Sequence, residues 1–335
     1  MLDWYDAHAR TLPWRALPGA TPDPYRVWLS EVMLQQTTVA AVRPRFEAWV
    51  ARWPDFTSLA NAGEADVMAA WAGLGYYARA RNLLACAQAV VTRGGWPTTE
   101  SELRTLPGIG DYTAAAMAAI AFGRRAVVID ANVERVVARL FAVADPLPGG
   151  RRAIRSAAAA ITPNARSGDF AQAMMDLGSA ICTPRSPRCL ACPLHPDCAG
   201  FATGAPAVFP VKAAKRTRPK RYGTAYWLER DGAVLLVRRP VRGLLGGMRA
   251  LPTGPWLDTS PGLADAPAAA GWRILPAAVA HGSTHFELEL ALAVATGAAH
   301  GEREIEGEYW PIDRLHEAGL PTLFAKCAAA IGRAQ

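Results

Sequence analysis

No stretch of this chain is apolar for long enough to cross a bilayer. Its longest run of small apolar residues, Ala114 to Phe122, falls well short of the roughly 20 residues a spanning helix needs. Met1 to Arg10 lacks an apolar core behind a basic start, so no secretory leader is expected and the expected compartment is the cytoplasm. Cysteine is scarce, six in 335 residues, and in an unexported chain those six argue against a disulfide framework. Internal repeats are lacking too, which excludes solenoid and propeller arrays.

What is present points elsewhere. A chain of 335 residues exceeds one ordinary hydrophobic core, so two domains are expected. The formal charge of +7 and a pI near 9.3 suit a polyanionic partner without requiring one. From Pro24 to about Cys198 apolar residues recur at three and four, with Gly or Pro between the runs, which predicts an all-helical domain. Phe201 to Arg221 interleaves prolines with Lys212, Lys215, Arg216, Arg218, Lys220 and Arg221 and reads as a basic linker; a merely solvated linker explains that stretch equally well. Beyond it, Ala225 to Leu228 and Ala233 to Val237 flank Asp231-Gly232, a tight-hairpin dipeptide, and His285 to Leu290 alternates polar with apolar residues. The second half is therefore α+β, with a surface excursion around Pro261 to Ala270 and a closing helix over Leu323 to Ile331.

Four cysteines crowd together as Cys182-x6-Cys189-x2-Cys192-x5-Cys198, with Pro184, Pro187, Pro193 and Pro196 keeping the chain between them out of helix. Four thiolates satisfy either a tetrahedral zinc or a cubane iron–sulfur cluster. Zinc knuckles usually come in paired CxxC units, whereas a single CxxC with wide flanks suits the cluster better. Both metals stay open on spacing alone, and free buried thiols are the plain alternative.

Leu106-Pro107-Gly108-Ile109-Gly110 precedes a helix expected over Tyr112 to Phe122. Its two glycines allow close backbone approach, and the free N–H groups at the following helix start suit a phosphate. Asp130 lies 20 residues beyond Gly110, just ahead of Asn132 and a helix expected over Val133 to Val143. A helix cap is the plain reading of Asp130. A chemical role requires a second acid, which Glu31 supplies within the mostly apolar Trp28 to Leu34, surroundings that favour a protonated carboxyl. A solvated surface glutamate is the plain alternative there.

In order along the chain stand Arg10-Thr-Leu-Pro-Trp-Arg15, Trp28-Leu-Ser-Glu-Val-Met-Leu-Gln-Gln-Thr37, Gly73-Leu-Gly-Tyr-Tyr-Ala-Arg-Ala-Arg-Asn82, the glycine hairpin, Asp130-Ala-Asn-Val133, Gln172-Ala-Met-Met-Asp-Leu-Gly178 and the four cysteines. This pattern resembles the helix-hairpin-helix DNA glycosylases, and within them the MutY-type adenine DNA glycosylases. The resemblance implies a multidomain α and α+β protein. Residues 1–200 would form a helical catalytic domain, with the hairpin at about 103–123 and a cluster loop at 182–198. A basic linker at 201–221 and a nudix-like lesion-recognition domain at 222–335 would follow. It implies a [4Fe–4S] cluster on Cys182, Cys189, Cys192 and Cys198. The expected partner is duplex DNA carrying adenine opposite 8-oxoguanine or guanine, bound by a monomer in the cytoplasm, associated with the nucleoid.

By the same resemblance, Glu31 protonates the adenine and Asp130 stabilises the positive sugar, with Tyr112 and Asn132 beside them. Excision of a base passes through an oxocarbenium-like state, so one neutral acid and one anion are needed, as in glycoside hydrolysis. Leu34 and Gln36 match positions that fill or bridge the gap left by an extruded base, and Tyr76 the intercalating aromatic. Arg10, Leu12, Trp14, Arg15 and Gln172 match the adenine pocket, and Gly108 and Gly110 the phosphate hairpin. Arg79 and Arg81, beside Tyr76 and Tyr77, fit phosphate binding.

The related endonuclease III-like lyases carry a Schiff-base lysine where this chain has Tyr112, so abasic-site formation without strong strand cutting is expected. Leu235 to Pro240 and Gly243 to Met248 look like the nudix-type domain. No glutamate occurs between Glu229 and Glu287, so metal-dependent nucleotide hydrolysis is not expected. The family's Phe-Ser-His recognition loop aligns with Ser283-Thr284-His285, which keeps a hydroxyl and the imidazole and loses the aromatic; an ordinary exposed histidine is the plain reading of His285. A bifunctional lyase, a nudix-type hydrolase and a catalytically silent DNA-binding iron–sulfur protein are the rival functions.

Overall fold

The computed structural model describes residues 1–71, 73–213, 218–240, 244–283, 285–296 and 306–334. They divide into two units, Met1–Ala214 and Lys215–Gln335.

The first unit is helical: α1 (Leu2–His8), α2 (Pro24–Met33), α3 (Val39–Arg52), α4 (Phe56–Ala60), α5 (Glu64–Ala70), α6 (Ala78–Arg93), α7 (Glu100–Leu103), α8 (Asp111–Ala116), α9 (Ala131–Leu140), α10 (Arg151–Ile161), α11 (Ser167–Ala180) and α12 (Ala199–Ala202). The start of α2 is set locally. Asp23 accepts the Tyr25 N–H at 2.9 Å and Pro24 occupies the first turn, where a missing N–H costs nothing. The helix then buries Tyr25, Val27, Trp28, Leu29, Ser30, Val32 and Met33, leaving Glu31 as its single acid on an otherwise apolar surface. α8 runs directly into a π turn over Met117–Ala121, where every side chain is buried. α9 begins two residues earlier than its apolar pattern suggests, because the Asp130 cap brings Ala131 and Asn132 into the first turn. α9 and α11 approach closely at Gly178, where a Cβ would lie 2.6 Å from that of Asn132; only glycine allows this contact.

The expected linker is largely structured. α12 and a short turn over Pro206–Val208 occupy its first half, Phe209 is buried with its carbonyl bound by Arg139, and Lys212 bridges to Leu147. Those contacts attach residues 201–213 to the helical unit. At the far end Lys220 and Arg221 already belong to a strand.

The second unit is a mixed sheet of β1 (Lys220–Arg230), β2 (Ala233–Arg238), β3 (Arg249–Ala250), β4 (Arg273–Gly282), β5 (Glu287–Thr296) and β6 (Glu308–Pro311), with a helix α13 (Thr322–Gly332). The strand order is β3-β2-β1-β5-β4, and β6 pairs with β2. Asp231 and Gly232 both have positive φ and close the β1–β2 hairpin. β1 and β5 run parallel in register from Lys220 opposite Glu287 to Glu229 opposite Thr296. Leu288, Leu290 and Leu292 of β5 meet Phe324, Cys327 and Ile331 of α13 in the core. β4 ends at Gly282 and β5 begins at Glu287, two residues after His285. Among the described residues no helix is long and apolar enough to cross a membrane.

Candidate active site

A cavity of about 660 Å³ in the helical unit collects most of the residues singled out in the sequence. Arg10, Leu12, Trp14, Arg15, Glu31, Leu34, Gln36, Tyr112, Asp130, Asn132 and Gln172 all line it. Leu12, Trp14 and Gln172 are buried in its wall, and Trp14 packs edge-on to Phe46 at 5.2 Å. Gln36 stands exposed with φ +57° just after the end of α2.

The two acids are held differently. Tyr112 Oη donates to Glu31 Oε2 at 2.7 Å. Burial pushes the Glu31 carboxyl up to about 7, with Asp130 adding in the same direction and the tyrosine hydrogen bond and Arg15 opposing. Burial, reinforced by the two acids, raises the Tyr112 phenol well above its ordinary value, so it stays a donor. Asp130 accepts on both oxygens, from the Val133 N–H at 2.7 Å and from Asn132 Nδ2 at 2.8 Å. The helix-cap reading and the chemical reading of Asp130 are thus compatible: the cap fixes its position at the cavity. Asn132 in turn accepts from Arg135 at 2.9 Å, and Arg135 donates to the Cys182 carbonyl at 2.7 Å.

Arg10 and Arg15 line the cavity, but their guanidiniums are bound to Asp176, which is buried in α11. Arg15 reaches its two carboxylate oxygens at 2.6 and 3.0 Å, and Arg10 Nε reaches Oδ1 at 2.6 Å. Asp176 had gone unassigned in the sequence, although its spacing of four from Gln172 places both on one stripe of α11.

Cys182, Cys189, Cys192 and Cys198 line one apolar cavity of about 30 Å³. Arg139, buried in α9, donates to Cys182 Sγ at 3.2 Å, to the Thr183 carbonyl at 2.7 Å and to that of Pro184 at 3.1 Å, anchoring the start of the loop. Among the described residues no three His, Cys, Asp or Glu side chains are grouped for a single metal ion. Four thiols around one apolar cavity are a donor set that a cubane cluster, with one iron for each thiolate, can use.

Several expected DNA-contacting residues lie away from the cavity. Tyr76 is 65% exposed with φ +49°. The expectation for Arg79 is corrected: its guanidinium donates to the carbonyls of Val32, Met33, Gln35, Leu74 and Gly75, so it ties the end of α2 to the Gly73–Gly75 turn instead of facing a phosphate. Arg81 is exposed. Gly108 has φ +72°, and Gly110 caps α8. In the second unit the Ser283 hydroxyl is spent on its own turn, donating to the Phe286 carbonyl at 2.8 Å and accepting from the Phe286 N–H at 3.0 Å. His285 is exposed. Thr284 lies outside the described residues.

Residues 29–158 match the HhH-GPD superfamily base excision DNA repair protein model, and residues 223–330 match a NUDIX domain. An adenine DNA glycosylase of Mycolicibacterium smegmatis is 42% identical over 209 residues, 62% of this chain and 70% of that protein. The chain belongs to the adenine DNA glycosylase family. The human adenine DNA glycosylase is 37% identical over 310 residues, 76% of this chain, and the chain spans only 57% of its length. A thermostable thymine-DNA glycosylase superposes with a TM-score of 0.53 at 27% identity, over 60% of this chain and 93% of that one. Family membership agrees with the two-unit architecture of a helix-hairpin-helix unit followed by a nudix-like α+β unit.

Proposed function

We propose that this chain hydrolyses the N-glycosidic bond of adenine mispaired with 8-oxoguanine or guanine in duplex DNA and leaves an abasic site. The observation that carries the reading is the pair of carboxylates on one cavity, Glu31 raised to about 7 and Asp130 accepting hydrogen bonds on both oxygens. Glu31 delivers a proton to the departing base while Asp130 offsets the positive charge growing on the sugar. Tyr112 holds the Glu31 carboxyl, and Asn132 holds Asp130. Leu34 and Gln36, at the end of α2, fill the space left by the extruded base, and exposed Tyr76 stacks near its partner. Gly108 and Gly110 cradle a phosphate.

No lysine precedes Lys212 and none lines the cavity, so no side-chain amine stands there for a Schiff base, which supports a monofunctional enzyme. The four cysteines would hold a [4Fe–4S] cluster, whose iron–thiolate bonds supply a cross-link of the 182–198 loop. His285 would read the base opposite the adenine, and the protein would act as a monomer at the nucleoid.

Single-turnover cleavage of a duplex with adenine opposite 8-oxoguanine tests this, beside cytosine opposite 8-oxoguanine and thymine glycol opposite adenine. Alkali-dependent breakage at adenine alone, abolished in Asp130→Asn, is the expected result. Alkali-independent cutting at thymine glycol with adenine untouched would overturn it.

A further inference from the structure

Asp176 is 1% exposed and does not itself line the cavity; it lies behind Arg10 and Arg15, which do. Its carboxylate receives Arg15 on both oxygens, the Arg10 side chain on Oδ1 and the Arg10 N–H on Oδ2 at 3.4 Å. The Arg15 side chain is 8% exposed and that of Arg10 36%, so Arg15 and Asp176 form a desolvated ion pair with Arg10 at its open edge. Buried ion clusters are poor devices for stability, since apolar residues of similar size do as well or better. Their value is to hold charges in fixed places, and the place here is the wall of the reaction cavity.

The cavity beside Glu31 on α2 is lined by Tyr112 from α8, Asp130 and Glu134 from the start of α9, Arg151 and Arg155 from α10, and Arg10 and Arg15 from the segment before α2; of these Tyr112, Asp130 and Arg15 act on its carboxyl. Glu134 and Arg151 are paired at 3.0 Å and largely cancel. The charge reaching Glu31 from the arginine side therefore depends on whether Arg10 and Arg15 are compensated. With Asp176 the cluster carries a net charge of +1; without it, +2. Arg15 acts to lower the Glu31 carboxyl, so an uncompensated Arg15 draws its proton off.

We propose that Asp176 is a positioning residue that pins Arg10 and Arg15 and offsets one of their two charges, so that the wall of the base pocket presents a net charge of +1 rather than +2 to the acid. This rests on the adenine-excision reading above. A residue that only holds the fold together changes the amount of active protein; a charge mask moves the pH at which activity is lost.

The test is the single-turnover rate on adenine opposite 8-oxoguanine from pH 5 to 9 with full-length protein, with thermal melting run alongside. Asp176→Asn is expected to move the alkaline limb down by about one pH unit, giving roughly a tenfold slower reaction on that limb. Asp176→Glu should leave the limb in place. Asp176→Asn combined with Arg15→Gln returns the net charge to +1 and should bring the limb back. A folded Asp176→Asn protein with an unmoved limb, or a displaced limb that Arg15→Gln fails to restore, overturns the proposal. If Asp176→Asn does not fold, Arg15→Gln alone decides: removing one cation should move the limb upward, and an unmoved limb overturns the idea. A wild-type protein that leaves adenine in place overturns the function and this inference together, whereas normal excision with an unmoved limb overturns the inference alone.

Discussion

The Glu31 carboxyl and the Tyr112 hydroxyl, 2.7 Å apart, are where a single residue can be expected to trade stability against activity. With its folded value near 7 and an ordinary value of 4.5, Glu31 binds a proton in the folded state that the unfolded chain has already released. The stability this contributes is fully present below pH 4.5 and is lost as pH rises through 7. At pH 8 the ionised, buried carboxylate costs up to about 3 kcal/mol. Glu31→Gln removes the titration. It should slow excision by about a hundredfold or more, yet gain stability relative to wild type at pH 8 over its value at pH 5. Urea unfolding at the two pH values checks this, and the same difference at both would refute it. Tyr112→Phe removes the donor that holds the carboxyl down, so its alkaline limb should shift upward.

At the scale of elements, the glycine hairpin separates backbone requirement from surface requirement. Gly108 has φ +72°, and a Cβ there would sit 2.6 Å from Asn82 Cβ, so Gly108→Ala should destabilise the fold by about 1–3 kcal/mol. Gly110 has φ −88° with open space where a Cβ would go. Gly110→Ala should therefore cost less than about 1 kcal/mol, the difference between glycine and alanine at a cap, yet weaken DNA binding by crowding the approaching phosphate. Melting and binding measured on both variants check it; equal losses of stability would contradict the distinction. The hairpin was legible in sequence because its signals are local, as were the onset of helix at Pro24 and the Asp231-Gly232 turn. The Asp176 cluster was not, because Arg10 and Arg15 lie more than 160 positions away along the chain, 166 and 161 respectively. Nor was Arg79, since a guanidinium beside exposed tyrosines suggests a phosphate and only the folded backbone brings five carbonyls to it. β4 escaped notice because only Leu275 and Val279 of it are buried, which leaves no period-two signal.

For the whole molecule, the proposed function assigns excision to the first unit and lesion reading to the second, two tasks that should be separable. No glutamate lies between Glu229 and Glu287, so that stretch of the nudix-like unit supplies no glutamate ligand for a divalent cation. Its candidate reading residues sit on the β4–β5 turn, where Ser283 is committed to the turn's own hydrogen bonds and His285 is exposed. The two should therefore respond differently to truncation. His285→Ala should reduce the preference for 8-oxoguanine over guanine opposite adenine by about tenfold, the scale of one lost base contact, while leaving the single-turnover rate on adenine opposite guanine unchanged. Ser283→Ala should loosen the turn, lowering thermal stability as well as preference. Both affinities must be measured at one salt concentration, because phosphate contacts made by a chain of charge +7 weaken steeply with salt and act alike on both duplexes. A His285→Ala protein with undiminished preference would place lesion reading elsewhere in the second unit, and an equal loss on both duplexes would make His285 a backbone-binding residue.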